Sequence, residues 1–311
     1  MDLKQLRAFV TVAETGNVTR ASSLLNLVQP AVSRQLRLLE EDLGTELFDR
    51  SRHGMQLTTS GKAMLEYARR ILNEVERARA EIQPTDGPVA GIVTIGLLAS
   101  LSDLLATPLT AAVRARYPHI RLRLMIGYAG HLMDWIEKGD VDVTLIYGQK
   151  ETPALQVKAL VDENLWVVAP PSARLSLKRP LALAQVAQHP FVLPGPPQGL
   201  RAAIDHAATE AGVALDVVAE TNALSVQKSL VAEGQGWTIL PAVCVKQEVE
   251  RGLLSAAPLA PPGLRRTIVL AAPTTRQATA PVRCVVATLL EQVKTAFDAG
   301  HWGAGARWIG R

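Results

Sequence analysis

The sequence predicts a chain of mixed class: a mostly helical, winged N-terminal domain, a long linker helix, and an α/β domain in two lobes. Three observations carry that prediction. Two short apolar-striped helices meet at a tight turn within residues 17–43, and a hairpin follows them. An a/d heptad stripe then runs through residues 64–82, as one unbroken amphipathic helix would show. Beyond residue 89 buried strands alternate with helices, the order of a parallel sheet covered on both faces.

The first helix, residues 2–15, turns Leu3, Leu6, Val10 and Ala13 inward with Phe9 beside them. Gly16-Asn17 closes it and opens the next, since glycine tolerates a left-handed exit and asparagine is a preferred N-cap. Val18, Ala21, Leu24 and Leu25 give the second helix its apolar face, and Asn26-Leu27-Val28 makes the turn. The third helix starts at Gln29-Pro30, where proline is harmless because a first-turn N–H has no intrahelical partner. Val28 has no side-chain acceptor to cap it. Val32, Leu36, Leu39 and Leu43 form its buried stripe, with Pro30, Arg34 and Arg37 opposite and Ser33 on the flank.

Residues 47–50 and 55–58 read as the strands of a wing, with Arg50 and Arg52 at its tip. An ordinary helical hairpin with solvated arginines would show the same two helices. The wing behind them favours double-stranded DNA as the partner. The candidate DNA-facing residues are Asn17, Arg20, Gln29, Pro30, Ala31, Ser33, Arg34, Arg37, Arg50 and Arg52. Gln29 would reach a base edge, and the arginines a guanine or a phosphate.

Leu6, Phe9, Ala21, Leu25, Gln29-Pro30-Ala31-Val32-Ser33, Leu36, Leu39-Glu40, Leu43-Gly44, Leu47-Phe48-Asp49-Arg50 and Leu57-Thr58 with Gly61 carry a resemblance to the LysR-type transcriptional regulators. It implies a winged helix-turn-helix over residues 1–58 and a linker helix with its hinge over 59–88. It also implies an effector domain of two lobes, similar to a periplasmic binding protein, over 89–297. Tyr117-Pro118, Gly139-Asp140-Val141-Asp142 and residues 234–241 match that domain in the right order, and with Ile146-Tyr147-Gly148 they lean towards the nitrogen-assimilation-control branch.

The linker helix repeats Met64, Ala68, Ile71, Val75, Ala78 and Ile82 at 4-3-4-3-4 spacing among charged residues, so it wants a partner helix. Packing along its own domain is the alternative to self-association. The resemblance implies an antiparallel helix pair and a dimer of dimers, hence a homotetramer. Pro84-Thr85-Asp86-Gly87-Pro88 then reads as a hinge.

In the α/β domain, lobe I takes residues 89–161 and 268–297, and lobe II takes 162–267. Strands are expected at 91–97, 120–126, 141–147, 165–169, 191–193, 217–220, 237–240 and 268–272. The helices should lie at 102–117, 131–138, 181–188, 199–211, 224–233 and 278–297. The tail, residues 298–311, reads as disorder at a chain end after Gly300.

Ligands of such sheets sit beyond the carboxyl ends of the strands. That places Ser100 and Ser102 at a helix start, Tyr128, Tyr147 and Gln149 after strands of lobe I, and Gln198, Arg201 and Asn222 in lobe II. Two hydroxyls facing a guanidinium favour a small anion.

Net charge is +4 with Lys and Arg at 33 against 29 acidic residues, which permits nucleic acid as a partner. No apolar run is long enough for a membrane span, and the start lacks a signal-peptide core. Cys244 and Cys284 have no metal-ligand spacing and read as thiols of a reducing compartment, so a cytoplasmic protein is expected. No histidine pair, no Cys-x-x-Cys and no phosphate loop stands where catalysis or a cofactor would need one.

The expectation is a sequence-specific regulator of transcription, activator or repressor, that answers a small-molecule effector, its anionic chemistry being read from the serines and arginine. RNA polymerase is a further partner if it activates. The alternative is a DNA-binding regulator whose α/β domain binds no ligand and only assembles oligomers.

Overall fold

A computed structural model of the chain describes residues 1–51, 54–82, 88–275 and 277–310. It separates into an N-terminal unit of residues 1–87 and a C-terminal unit that begins at Pro88.

In the N-terminal unit, α1 (Leu3–Thr15) is capped by Asp2, whose carboxylate accepts the Lys4 and Gln5 N–H groups at 2.8 Å each. Asn17 caps α2 (Val18–Leu25) by accepting from the Arg20 N–H at 3.0 Å. Asn26 turns the chain in the left-handed region, and α3 (Gln29–Leu43) follows with no side-chain cap from Val28. The buried faces converge on Leu6, Phe9, Val12, Val32, Leu36 and Leu39. Each such side chain contributes roughly 1.5–3 kcal/mol on leaving water.

Three expectations about this core need correction. The inward face of α1 centres on Leu6, Phe9 and Val12, with Val10 and Ala13 only at its rim. Leu24 is 64% exposed, and Leu43 is 39% exposed because Gly44 ends the helix before that last position reaches the core.

The wing is β1 (Phe48–Ser51) paired antiparallel with β2 (Gly54–Leu57), Phe48 opposite Leu57. Glu40 anchors its start by accepting the Leu47 N–H at 2.9 Å. α4 (Thr59–Ile82) then crosses behind the wing so closely that a Cβ on Gly61 would lie 2.0 Å from the Leu47 carbonyl oxygen. Only glycine fits there.

The chain itself covers the start of the heptad stripe. Ala68 is fully buried, and Met64 and Ile71 pack on the core of α1 and α3, while Arg7–Glu76 at 2.8 Å and Arg69–Glu14 at 3.1 Å tie α4 to α1. Val75 is half-buried, Ala78 is exposed and Ile82 is 82% exposed. The sequence pattern could not separate these because intramolecular and intermolecular partners ask for the same apolar spacing. Four of the five hinge residues, 84–87, lie outside the described residues.

The C-terminal unit opens with β3 (Gly91–Leu98), α5 (Ala99–Arg116), β4 (Ile120–Gly127), α6 (Ala129–Lys138) and β5 (Val143–Tyr147). β3 lies between β4 and β5, parallel to both. The 15-residue strand β6 (Leu155–Ala169) was expected only over its last five residues. Its early part pairs with lobe I and its end with lobe II, so it is one of the two crossings between them.

Lobe II adds α7 (Leu183–Val186), β7 (Phe191–Leu193), α8 (Gly199–Glu210), β8 (Val217–Glu220), α9 (Leu224–Ala232) and β9 (Thr238–Pro241), then α10 (Lys246–Glu250) and β10 (Ser255–Pro258). β7 and β8 are parallel, but β9 and β10 flank β6 antiparallel. The return crossing, β11 (Arg265–Pro273), runs antiparallel between β5 and β6, and α11 (Ala280–Asp298) closes lobe I. The sheet is therefore mixed where the chain changes lobe. A pattern of apolar runs specifies a buried strand, not its direction.

The tail is ordered, contrary to the disorder expected of it. Trp302 is 1% exposed, and β12 (Arg307–Trp308) pairs with Asp162 and Val161 of β6. Arg307 and Arg265 both bind the Asp162 carboxylate, at 2.6 and 2.9 Å. A Cβ on Gly303, whose φ is +78°, would stand 2.7 Å from Ala242 and 3.0 Å from Trp166 of lobe II.

Candidate functional site

The third helix presents its N-terminal half to solvent. Gln29, Pro30, Arg34 and Arg37 are exposed, with Ala31 and Ser33 half-buried beside them. Gln29 donates weakly to the Ser33 hydroxyl at 3.4 Å, which leaves its amide free to exchange that contact for a base edge. No acidic side chain among the described residues pairs with Arg20, Arg34 or Arg37. Asn17 also faces solvent, but its oxygen is spent on the cap of α2, so its other amide group is what remains for a ligand. Arg50 lies in β1, and Arg52 lies outside the described residues. The exposed set is what a polyanion asks for: unpaired cations around one amide, on a helix narrow enough for a major groove.

A second site lies in the C-terminal unit, in a small cleft between the lobes that opens to solvent. Leu98, Ser100, Tyr128 and Tyr147 line it from lobe I, and Leu200, Leu224, Gln227 and Leu240 from lobe II. Arg266, on the crossing strand β11, reaches its wall. This guanidinium donates to Glu163 at 2.6 Å and to the Ser100 hydroxyl at 2.7 Å, and lies 4.8 Å from the centroid of the Tyr147 ring. Burial pushes the Glu163 carboxyl above the usual range, and Arg266 works against that rise. Burial also raises the phenols of Tyr128 and Tyr147, and the Tyr128 hydroxyl has no hydrogen-bond partner.

The expected ligand residues therefore divide. Ser100, Tyr128 and Tyr147 come together in this cleft; Ser102, Gln149, Gln198, Arg201 and Asn222 do not line it. α5 begins three residues earlier than expected, so Ser102 sits inside its first turn and donates to its own Ala99 carbonyl at 2.9 Å. Arg201 is held by Asp205, Glu220 and the Pro194 carbonyl, which leaves it no free direction towards a ligand. Arg266 was missed because nothing local marks it: it becomes a cleft residue only through the pairing of β11 with β6.

Cys244 is a partly buried residue whose thiol is pushed up to about 12 by burial, so it stays protonated. Among the described residues no trio of His, Cys, Asp or Glu could hold a metal, and no helix is long and apolar enough to cross a membrane.

Both regions match known families. Residues 3–62 fit the bacterial regulatory helix-turn-helix protein, lysR family, and residues 86–294 fit the LysR substrate binding domain. The dual transcriptional regulator GltC of Bacillus subtilis is 30% identical over 281 residues, 89% of this chain and 92% of its own. The nitrogen assimilation regulatory protein nac of Klebsiella aerogenes is 27% identical, over 83% of this chain and 82% of its own. Full-length CbnR, solved with its target DNA, has the same fold: TM-score 0.69 at 22% identity, over 95% of this chain and all of CbnR. Regulators of this kind bind DNA and small-molecule effectors and oligomerise; they are not enzymes. With a helix-turn-helix matched at one end and an effector domain across most of the rest, this chain belongs to the LysR family of DNA-binding transcriptional regulators.

Proposed function

We propose that the chain reads an interrupted inverted repeat in promoter DNA as a dimer, and that a small organic anion in the cleft at Arg266 sets its regulatory state. The observation that supports the anion is the Arg266 guanidinium in the cleft wall, joined to Ser100, with the unpartnered Tyr128 hydroxyl in the same wall. A ligand carboxylate there would gain charge-assisted hydrogen bonds of about 1.5–3 kcal/mol each, against about 0.5–1.5 for neutral ones. It would act only by favouring one lobe arrangement over another. In an activator, that change would be passed to RNA polymerase at the promoter. The setting is cytoplasmic.

The dimer seam of this reading runs through Val75, Ala78 and Ile82, since Met64, Ala68 and Ile71 already serve the chain's own core. The second contact of a tetramer would lie between α/β domains.

The test of the anion is a thermal-shift titration with hexanoate and its neutral isostere hexanamide, on wild type and Ser100→Ala. Binding to the folded state raises Tm. Hexanoate should stabilise the wild type more than hexanamide does, and Ser100→Ala should weaken that response. Equal response to both compounds would show that charge plays no part. The seam is tested by Ile82→Glu in sedimentation: an unchanged oligomer removes this end of α4 from the interface.

A further inference from the structure

Among the described residues, Arg266, Lys228 and Arg201, the cations at and around the cleft, all have partners. Arg266 faces Glu163 in register across β11 and β6, with side-chain exposures of 8% and 0%. Lys228 donates to Glu248 and to the Cys244 carbonyl, and Arg201 to Asp205 and Glu220. Asp162, next to Glu163 on the strand, is taken by Arg265 and Arg307. The rest of the wall carries no charge: leucines, prolines and Ala99, the two tyrosine rings, the Ser100 hydroxyl and the Gln227 amide, which already donates to Val192 and Thr238.

We infer that Glu163 is a built-in counter-ion that decides the charge class of the effector, so that the cleft takes an apolar body carrying one negative charge and rejects dianions. This deepens the anionic reading above and rests on it. The first charge of a ligand shares the Arg266 guanidinium with Glu163. A second charge meets no uncommitted cation among the described residues, and the Glu163 carboxylate, 2.6 Å from the same guanidinium, repels it. At an effective dielectric of about 20, a unit charge several ångströms away changes affinity by roughly tenfold or more. The body of the ligand lies against Leu98, Leu200, Leu224 and Leu240, and its second polar atom is uncharged, to meet the orphaned Tyr128 hydroxyl.

The experiment compares hexanoate, adipate, sulfate and hexanamide by calorimetry and thermal shift, on wild type and on Glu163→Gln. Glutamine keeps the size and the acceptor for Arg266 but removes the charge. In wild type, adipate and sulfate should bind at least about tenfold more weakly than hexanoate. In Glu163→Gln, adipate should gain about tenfold and the preference should collapse, a strengthening that a merely structural role for Glu163 would not produce. Adipate equal to hexanoate in wild type overturns the charge selection alone, as does an unchanged ratio in Glu163→Gln. Hexanamide equal to hexanoate overturns the anionic reading beneath it, and so does silence from all four compounds. Should Glu163→Gln not fold, the wild-type ratio of hexanoate to adipate decides by itself.

Discussion

The recognition helix and the cleft use the same side chain in opposite ways. On α3, Arg34 and Arg37 stand in water, and no carboxylate among the described residues pairs with them. In the cleft, Arg266 is 8% exposed at its side chain and pressed against a fully buried glutamate. A surface guanidinium costs little to leave unpaired, and an unpaired cation is what a phosphate backbone attracts. A buried one needs its counter-ion, because an uncompensated charge in a poor dielectric is among the most costly things a fold can contain. Residue type thus says little about whether a charge is available to a ligand; burial and pairing do.

The largest effect should come from breaking the buried pair. Arg266→Ala strands the Glu163 carboxylate and should cost about 3–5 kcal/mol of stability at neutral pH. Arg34→Ala should fall within about 0.5 kcal/mol of wild type while weakening DNA binding. Without Arg266, only burial acts strongly on Glu163, so its folded pKa lies above the unfolded value. Its penalty is then absent below the unfolded pKa and grows as pH rises through that range. Denaturant melts of Arg266→Ala at pH 5 and pH 8 should show the deficit shrinking at the lower pH. A deficit independent of pH would mean that lost packing, and not stranded charge, carries the cost.

The same contrast between local and distant partners explains what the sequence could tell. The helix-turn-helix was legible because its signals are local: Asn17 as cap, Pro30 at a helix start, a stripe from Val32 to Leu39. The α/β order was legible from apolar runs. Arg266 was not, since its partner lies 103 residues earlier on another strand. Arg201 misled for the same reason, as Glu220 becomes its partner only through folding. The tail misled most. Glycine, tryptophan and arginine in a terminal stretch read as disorder, yet Gly303 and Trp302 are shaped to a surface that no local pattern reveals.

Trp302 is accordingly the second test, with an expected cost a little below that of Arg266→Ala. Truncating a buried tryptophan removes about 3–5 kcal/mol in a rigid core, and a chain end relaxes enough to place this one at the lower edge. Its indole N–H has no partner, so Trp302→Phe should be much milder than Trp302→Ala. Unfolding midpoints for the pair measure this directly, and wild-type stability in Trp302→Ala would return the tail to the status of an appendage.

Smaller again is the effect at the DNA. Gln29→Ala should lower discrimination between the cognate and a scrambled site by about 1–3 kcal/mol while non-specific binding persists. Arg37→Ala, by contrast, should weaken binding to both sequences and reduce the salt slope by about 1 if it touches a phosphate. Gel-shift titrations at two salt concentrations separate these behaviours. A Gln29→Ala variant with full sequence preference would move the base-reading role elsewhere on α3.

The smallest expected effect belongs to the carboxylate that holds the tail. Burial alone would raise Asp162, but hydrogen bonds and charge from Arg307 and Arg265 outweigh it and hold the group below its ordinary value of 3.8. A folded pKa depressed in this way gives stability that is present above the unfolded pKa and lost as pH falls towards the folded one. The contribution should therefore be complete at pH 6 and fade below about pH 4. Arg307 is 69% exposed, so solvent screens its share, and the whole effect should stay within about 1 kcal/mol. Asp162→Asn should lie slightly below wild type in thermal melts near neutrality, with the two curves converging in acid. Convergence would identify the charge of Asp162 as what fastens β12 to β6; a constant offset down to pH 3 would instead assign that role to backbone pairing with Val161 and to the indole packed behind it.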